Sequence, residues 1–232
     1  WADRVSTELT AMMLATLFDF PQGDRRKLTH WSDVAICNIE AEDAIVKSNE
    51  ERMAELKQMA ETMAALWQER AAQPPTFDLV SMMAHSEATK NMSTREFIGN
   101  FALLIVGGND TTRNSMSAGL MAMLDNPAEV DKVKADPALM PSLVSETIRW
   151  ATPVIHMRRT ARTDCELGGK QIRAGDKVVM WYVSGNRDET AIDEPERFLV
   201  GRPRARHHLS FGAGIHRCVG DRLAEMQIRI LW

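Results

Sequence analysis

A single cysteine, Cys218, stands between a glycine-rich loop and a helical pattern in the string Phe211-Gly-Ala-Gly-Ile-His-Arg-Cys218-Val-Gly220. A thiol placed there lies at the positive end of the following helix, where its thiolate form is favoured. Gly212, Gly214 and Gly220 let the backbone come close and turn its amides toward the sulfur. An anionic sulfur held in this way can ligate a metal and donate electron density to it. A buried structural cysteine at a helix start would satisfy the same residue types, and the loop alone leaves both open.

A second string, Gly107-Gly-Asn-Asp110-Thr111-Thr112, sets an acid beside an alcohol within a long helical pattern. Two adjacent glycines cost a helix interior about 1–2 kcal/mol relative to alanine. Either a neighbouring helix packs closely on them or the helix kinks there. The other reading is a local widening that leaves room for a small ligand beside the acid and the alcohol. A third pair, Glu146 and Arg149, falls at i, i+3 on one helix face. Alone, that spacing usually marks a surface ion pair of little energetic value. Cys37 and Cys165 fall in no motif and read as structural.

These residues need a scaffold, and the pattern supplies one. Residues 1–152 read as helical, with apolar positions at helical spacing in 5–18, 25–36 and 50–70. Pro74-Pro75 ends the third of these helices, and a short one is expected over 77–88. Ser93-Thr-Arg-Glu96 is a capping box that opens a long helix running to about Leu124. Asp125-Asn-Pro127 stops it. Pro127 and Pro137 open two more, the second reaching Trp150. Over 153–217 short β runs with turns at Gly168-Gly169 and Ala174-Gly175-Asp176 give way to a long irregular stretch. A C-terminal helix is expected over 218–232. The sum is a mainly α fold with a small β portion, one domain over 1–232.

With its motifs in this order the chain resembles the cytochrome P-450 superfamily, in the C-terminal two-thirds or less of that fold. The cysteine string is similar at every position to the superfamily's haem-ligand loop. The glycine-broken string resembles its oxygen-binding helix segment. The resemblance implies haem b, iron protoporphyrin IX, with Cys218 as the iron ligand and Phe211, Gly212, His216 and Gly220 around it. It implies that Thr111 hydrogen-bonds dioxygen and that Asp110 helps to relay protons. Arg159, His208 and His216 would contact the haem propionates. Glu146 and Arg149 look like the superfamily's Glu-x-x-Arg, whose third partner would be Arg197 of Pro195-Glu-Arg197-Phe198. Within the superfamily, Leu104 to Met116 is similar to the bacterial medium-chain alkane hydroxylase branch. The activity implied is monooxygenation of an apolar molecule by dioxygen, as terminal hydroxylation of alkanes or fatty acids. The alternatives are a haem sensor or carrier that never turns over and a peroxide-driven enzyme. Neither needs the proton route that Asp110 and Thr111 would provide.

The residue pattern also suggests an apolar substrate. Phe101, Leu104, Ile105 and Gly108 fall at i, i+3, i+4 and i+7 on one helix face, and Val154 and Ile155 follow Pro153. Each of these could equally be core. The 232 residues carry a net charge of −4, which argues against nucleic acid as a partner. Three widely spaced cysteines, an odd number, suit a reducing and hence cytoplasmic compartment. No apolar run approaches the ~20 residues needed to span a bilayer. No flavin or nicotinamide fingerprint is visible, so electrons are expected from a ferredoxin-type donor with its reductase. From Arg197 to Gly220 there are five arginines, three histidines and no acid, a surface expected to dock that donor. The chain opens inside a helical pattern without a methionine, and is expected to be an internal stretch of a longer enzyme.

Overall fold

A computed structural model describes residues 1–232. Its backbone divides into two compact units, Trp1–Arg113 and Asn114–Trp232, each with its own apolar core.

The first unit is helical. One wide turn, Ala2–Ser6, leads into α1 (Thr7–Phe18), followed by α2 (Arg25–Ile36), α3 (Asn49–Ala71), α4 (Leu79–His85) and the start of α5 (Thr94–Asp125). Polar side chains set the helix starts. Ser48 accepts from the Glu51 amide at α3, and Asp78 accepts from the Ser81 amide at α4. At α5 the expected capping box forms in both directions. The Glu96 carboxylate accepts from the Ser93 amide at 2.8 Å, and Ser93 Oγ accepts from the Glu96 amide at 3.3 Å. The core gathers Leu14 and Phe18 of α1, Leu28 and Trp31 of α2, Met59 and Met63 of α3, and Phe101 and Ile105 of α5. Tilted and edge-on ring contacts link Trp67, Phe97, Phe101 and Phe18 across it.

The second unit takes the rest of α5 and adds α6 (Pro127–Ala135) and α7 (Met140–Ala151), each with a proline in its first turn. Strands β1 (His156–Thr160) and β4 (Lys177–Trp181) pair antiparallel, with His156 opposite Trp181. Between them β2 (Cys165–Leu167) and β3 (Lys170–Ile172) form a hairpin closed by Gly168 and Gly169, both at positive φ as a two-residue turn requires. A single turn, α8 (Tyr182–Gly185), follows β4 directly. After the irregular stretch comes α9 (Asp221–Leu231). It starts three residues later than expected, because Arg217 and Cys218 are tied back into the preceding loop through their amides. Phe198, from the irregular stretch, enters this unit's core and meets Trp150 edge-on at 5.9 Å. No helix is long and apolar enough to cross a membrane.

Candidate functional site

The loop before α9 is folded on itself by its own backbone. The Gly212 amide donates to the Leu209 carbonyl at 2.7 Å, that of Arg217 to Gly214 at 3.0 Å, and that of Cys218 to Phe211 at 2.9 Å. Two reversals of direction within so few residues put Gly212 and Gly214 at φ +67° and +68°. The turn lifts Cys218 to the surface between Ile215 and Val219, which are 96% and 94% exposed. The sulfur is not held as a thiolate by the protein alone. The atoms packed around it push the thiol pKa up, and the Gly220 amide aimed at the sulfur only partly opposes this; Asp221 raises it further and Arg217 lowers it. The expected thiolate preference is therefore corrected: Cys218 precedes the helix by three residues, and Asp221 offsets the helix end. A bound metal would favour the anionic form.

In the first unit, α5 stays α-helical through Gly107 and Gly108, so the expected widening is absent. The two glycines differ. A Cβ on Gly108 would meet Leu14 Cδ2 at 2.7 Å, whereas one on Gly107 would meet nothing within 4 Å. Gly108 is thus the close-packing glycine, and Asn109 beside it is tied to Thr10 at 2.9 Å inside the core. On the open side, Thr111 Oγ1 donates to the Gly107 carbonyl at 2.9 Å. Asp110 accepts from Arg113 at 2.8 Å.

The expected substrate face needs correction. Phe101 and Ile105 are wholly buried in the core, Leu104 packs against it, and Gly108 faces Leu14. The i, i+3, i+4, i+7 pattern marked the stripe that α5 turns to its own unit. The open stripe instead runs through Leu103, which is 71% exposed, Gly107 and Thr111. Their spacing of four was the available signal. In the second unit Val154 is half-buried and Ile155 exposed.

Glu146 and Arg149 form a two-point ion pair at 2.8 Å, buried to 0% and 1% exposure. The remaining Arg149 donors reach the carbonyls of Asn186, Pro195 and Arg197. Glu146 also accepts from the Leu199 amide at 2.8 Å. Burial alone would raise its pKa, but these partners outweigh that and hold the carboxyl below the usual range. The third charged partner is Arg202, 3.3 Å from Glu146, and not Arg197. Arg197 contributes only its carbonyl; its guanidinium turns outward to Glu194. Both arginines lie in an irregular stretch, where sequence position does not dictate side-chain direction. In the sequence Arg202 stands only as one of five arginines in the basic stretch.

Residues 3–232 match the family model described as Cytochrome P450. The chain belongs to the cytochrome P450 family. It is 38% identical over 229 residues to the linalool 8-monooxygenase of Pseudomonas putida, covering 98% of this chain and 55% of that protein. Against the methyl-branched lipid omega-hydroxylase of Mycobacterium tuberculosis it is 34% identical over 225 residues, with coverage of 96% and 52%. Among solved structures, a cytochrome P450-153 from Novosphingobium aromaticivorans superposes with a TM-score of 0.89 at 51% identity, over 100% of this chain and 55% of that one. The chain spans about half the length of the curated relatives it matches.

The P450 family implies haem, and the second unit's residues fit it. Cys218 is a sulfur donor flanked by two exposed apolar side chains, suited to a flat macrocycle. His208 is buried with both ring nitrogens lacking a partner, and its ring packs on Phe211 at 5.3 Å. Burial first, then the charges of Arg217, Arg149 and Arg206, pushes its pKa down to about 4, so it offers a neutral N–H. An unsatisfied buried imidazole costs about 1–3 kcal/mol, which a bound acceptor would recover. His216 is exposed on the turn 214–216, and Arg159 is half-buried in β1 with its guanidinium bonded only to the Arg158 carbonyl. Cys218 would hold the iron, and Arg159, His208 and His216 would serve the propionates.

Proposed function

We propose that the full-length protein is a haem-thiolate monooxygenase that hydroxylates an apolar substrate, an alkane or fatty acid, at a terminal carbon. The observation that carries this reading is the Cys218 sulfur, presented between Ile215 and Val219 with the Gly220 amide aimed at it. When bound, haem b supplies activation of dioxygen and transfer of one oxygen atom into a C–H bond, with electrons from outside. As a thiolate, Cys218 would hold the iron and donate electron density to it. Oxygen activation consumes protons, and in a water-poor site side chains would have to carry them. Thr111 carries a hydroxyl that donates to the Gly107 carbonyl. Asp110 is the adjoining acid.

Thr111→Ala is expected to keep its haem but lose about tenfold in product formed per reducing equivalent, the remainder leaving as peroxide. An unchanged ratio would remove Thr111 from the relay. Support for an apolar substrate comes from the uncharged open positions Leu103 and Gly107. The names of two relatives, a linalool monooxygenase and a methyl-branched lipid omega-hydroxylase, point the same way. The direct test is product formation from octane and from a fatty acid with reductant and dioxygen, against peroxide alone. Turnover on peroxide alone would favour a peroxide-driven enzyme, and loaded protein without product a sensor or carrier.

The donor reading takes a narrower form than the charge count suggested. Arg206 is paired with Glu225, Arg217 with Asp221, and Arg202 is buried on Glu146. Arg204 is exposed and makes no ion pair, so it is the charge best placed to meet an acidic ferredoxin-type donor served by its reductase. Arg204→Glu should slow donor-dependent reduction severalfold at low salt and less at high salt. A rate that ignores both the substitution and the salt would remove this contact. Three free cysteines agree with a cytoplasmic setting.

A further inference from the structure

Arg113 stands on α5 just past the acid–alcohol pair and touches two carboxylates. Its Nη2 donates to Asp110 at 2.8 Å and to Asp33 of α2 at 2.5 Å. Burial works against the guanidinium charge, but the two acids beside it outweigh that and raise its pKa, so the cation is permanent. The backbone on which Asp110 sits is already fixed, because neighbouring Gly108 is packed on Leu14 and Asn109 is bonded to Thr10. The freedom left to Asp110 is rotation of its own side chain. One nitrogen shared by two acids grips neither with the full two-point fork that an arginine offers a single carboxylate.

We infer that Arg113 is a positioning residue that holds Asp110 in one rotamer, and that Asp33 limits the strength of this grip by taking part of the same guanidinium. The inference rests on the reading of Asp110 as the acid of the proton route. Without Arg113, the Asp110 side chain wanders and protons arrive at the wrong time. Without Asp33, Arg113 can turn its whole fork to Asp110 and slow each excursion of the carboxylate. The two losses therefore have different signatures.

The test uses the full-length, haem-loaded enzyme with Arg113→Gln, Arg113→Lys, Asp33→Asn and Asp110→Asn. In crystal structures of the resting enzyme, the Asp110 carboxylate should leave its position in Arg113→Gln and keep it in Arg113→Lys. Product per reductant should fall about fivefold in Arg113→Gln and be largely restored in Arg113→Lys, which keeps a charged donor. Asp33→Asn should keep that ratio but lower kcat about threefold with KM unchanged. If Asp110 stays in place in Arg113→Gln and the ratio is unchanged, the positioning role is overturned. A wild-type kcat in Asp33→Asn overturns the role of Asp33. Asp110→Asn separates the levels: if it leaves the product ratio unaltered, the proton-route reading fails, while a displaced Asp110 in Arg113→Gln still supports the positioning.

Discussion

Alanine at position 218 is expected to abolish turnover in the full-length enzyme and to remove the red-shifted Soret band of its reduced carbon monoxide complex. No other thiol can replace it. Cys37 lies half-buried in the first unit, its sulfur 3.9 Å from the Val46 carbonyl, and Cys165 sits on β2. The fold should scarcely notice the change. What fixes the loop is the Cys218 amide on the Phe211 carbonyl, which alanine keeps, and the side chain is exposed, so stability should move by no more than about 0.5 kcal/mol. The effect belongs to the chemistry of the sulfur. A variant that kept the red-shifted band would show that another atom ligates the iron.

The second large effect belongs to folding. Arg149→Ala is expected to cost about 3–5 kcal/mol, a large part of the 5–15 kcal/mol that holds a typical domain together. It would strand the buried Glu146 carboxylate with only Arg202 and the Leu199 amide, and remove the donor from three carbonyls of the irregular stretch. Arg197→Ala is the control. Its guanidinium lies at the surface on Glu194, and its loss should stay within about 1 kcal/mol. Equal shifts of the denaturation midpoint in the two variants would mean that the buried fork does not hold this stretch. A pH dependence follows with a defined sign. Because the folded Glu146 carboxyl is held below its unfolded value, its stabilisation is complete above about pH 4–5 and is lost as acid protonates the folded group.

Local chemistry made much of this legible in the sequence. The Ser93–Glu96 box, Pro127 and the periodicity over 25–36 located helix starts, because caps and periods act within a few residues. Family membership was legible from motifs whose order and spacing are tightly constrained. What failed was direction. The apolar stripe through Phe101 and Ile105 was recognised, but a stripe reports only that a face is covered, and here α1 covers it. The assignment of Arg197 as third partner failed for a related reason: no period governs an irregular stretch, so burial there is decided by the distant groups it meets. The late start of α9 reflects amide bonds that Arg217 and Cys218 make back to the loop, which no helix-start signal encodes.

The two adjacent glycines of α5 answer to different masters. At position 108 a Cβ would meet Leu14 Cδ2 at 2.7 Å, so any larger residue must shift that buried side chain. At position 107 nothing within the first unit enforces it, and alanine there would gain about 1 kcal/mol of helix propensity. The helix forgoes that gain one turn before Thr111, whose hydroxyl donates to the Gly107 carbonyl. Side-chain volume at 107 can therefore reshape the open side of the helix beside Thr111 while leaving the packing of α1 untouched.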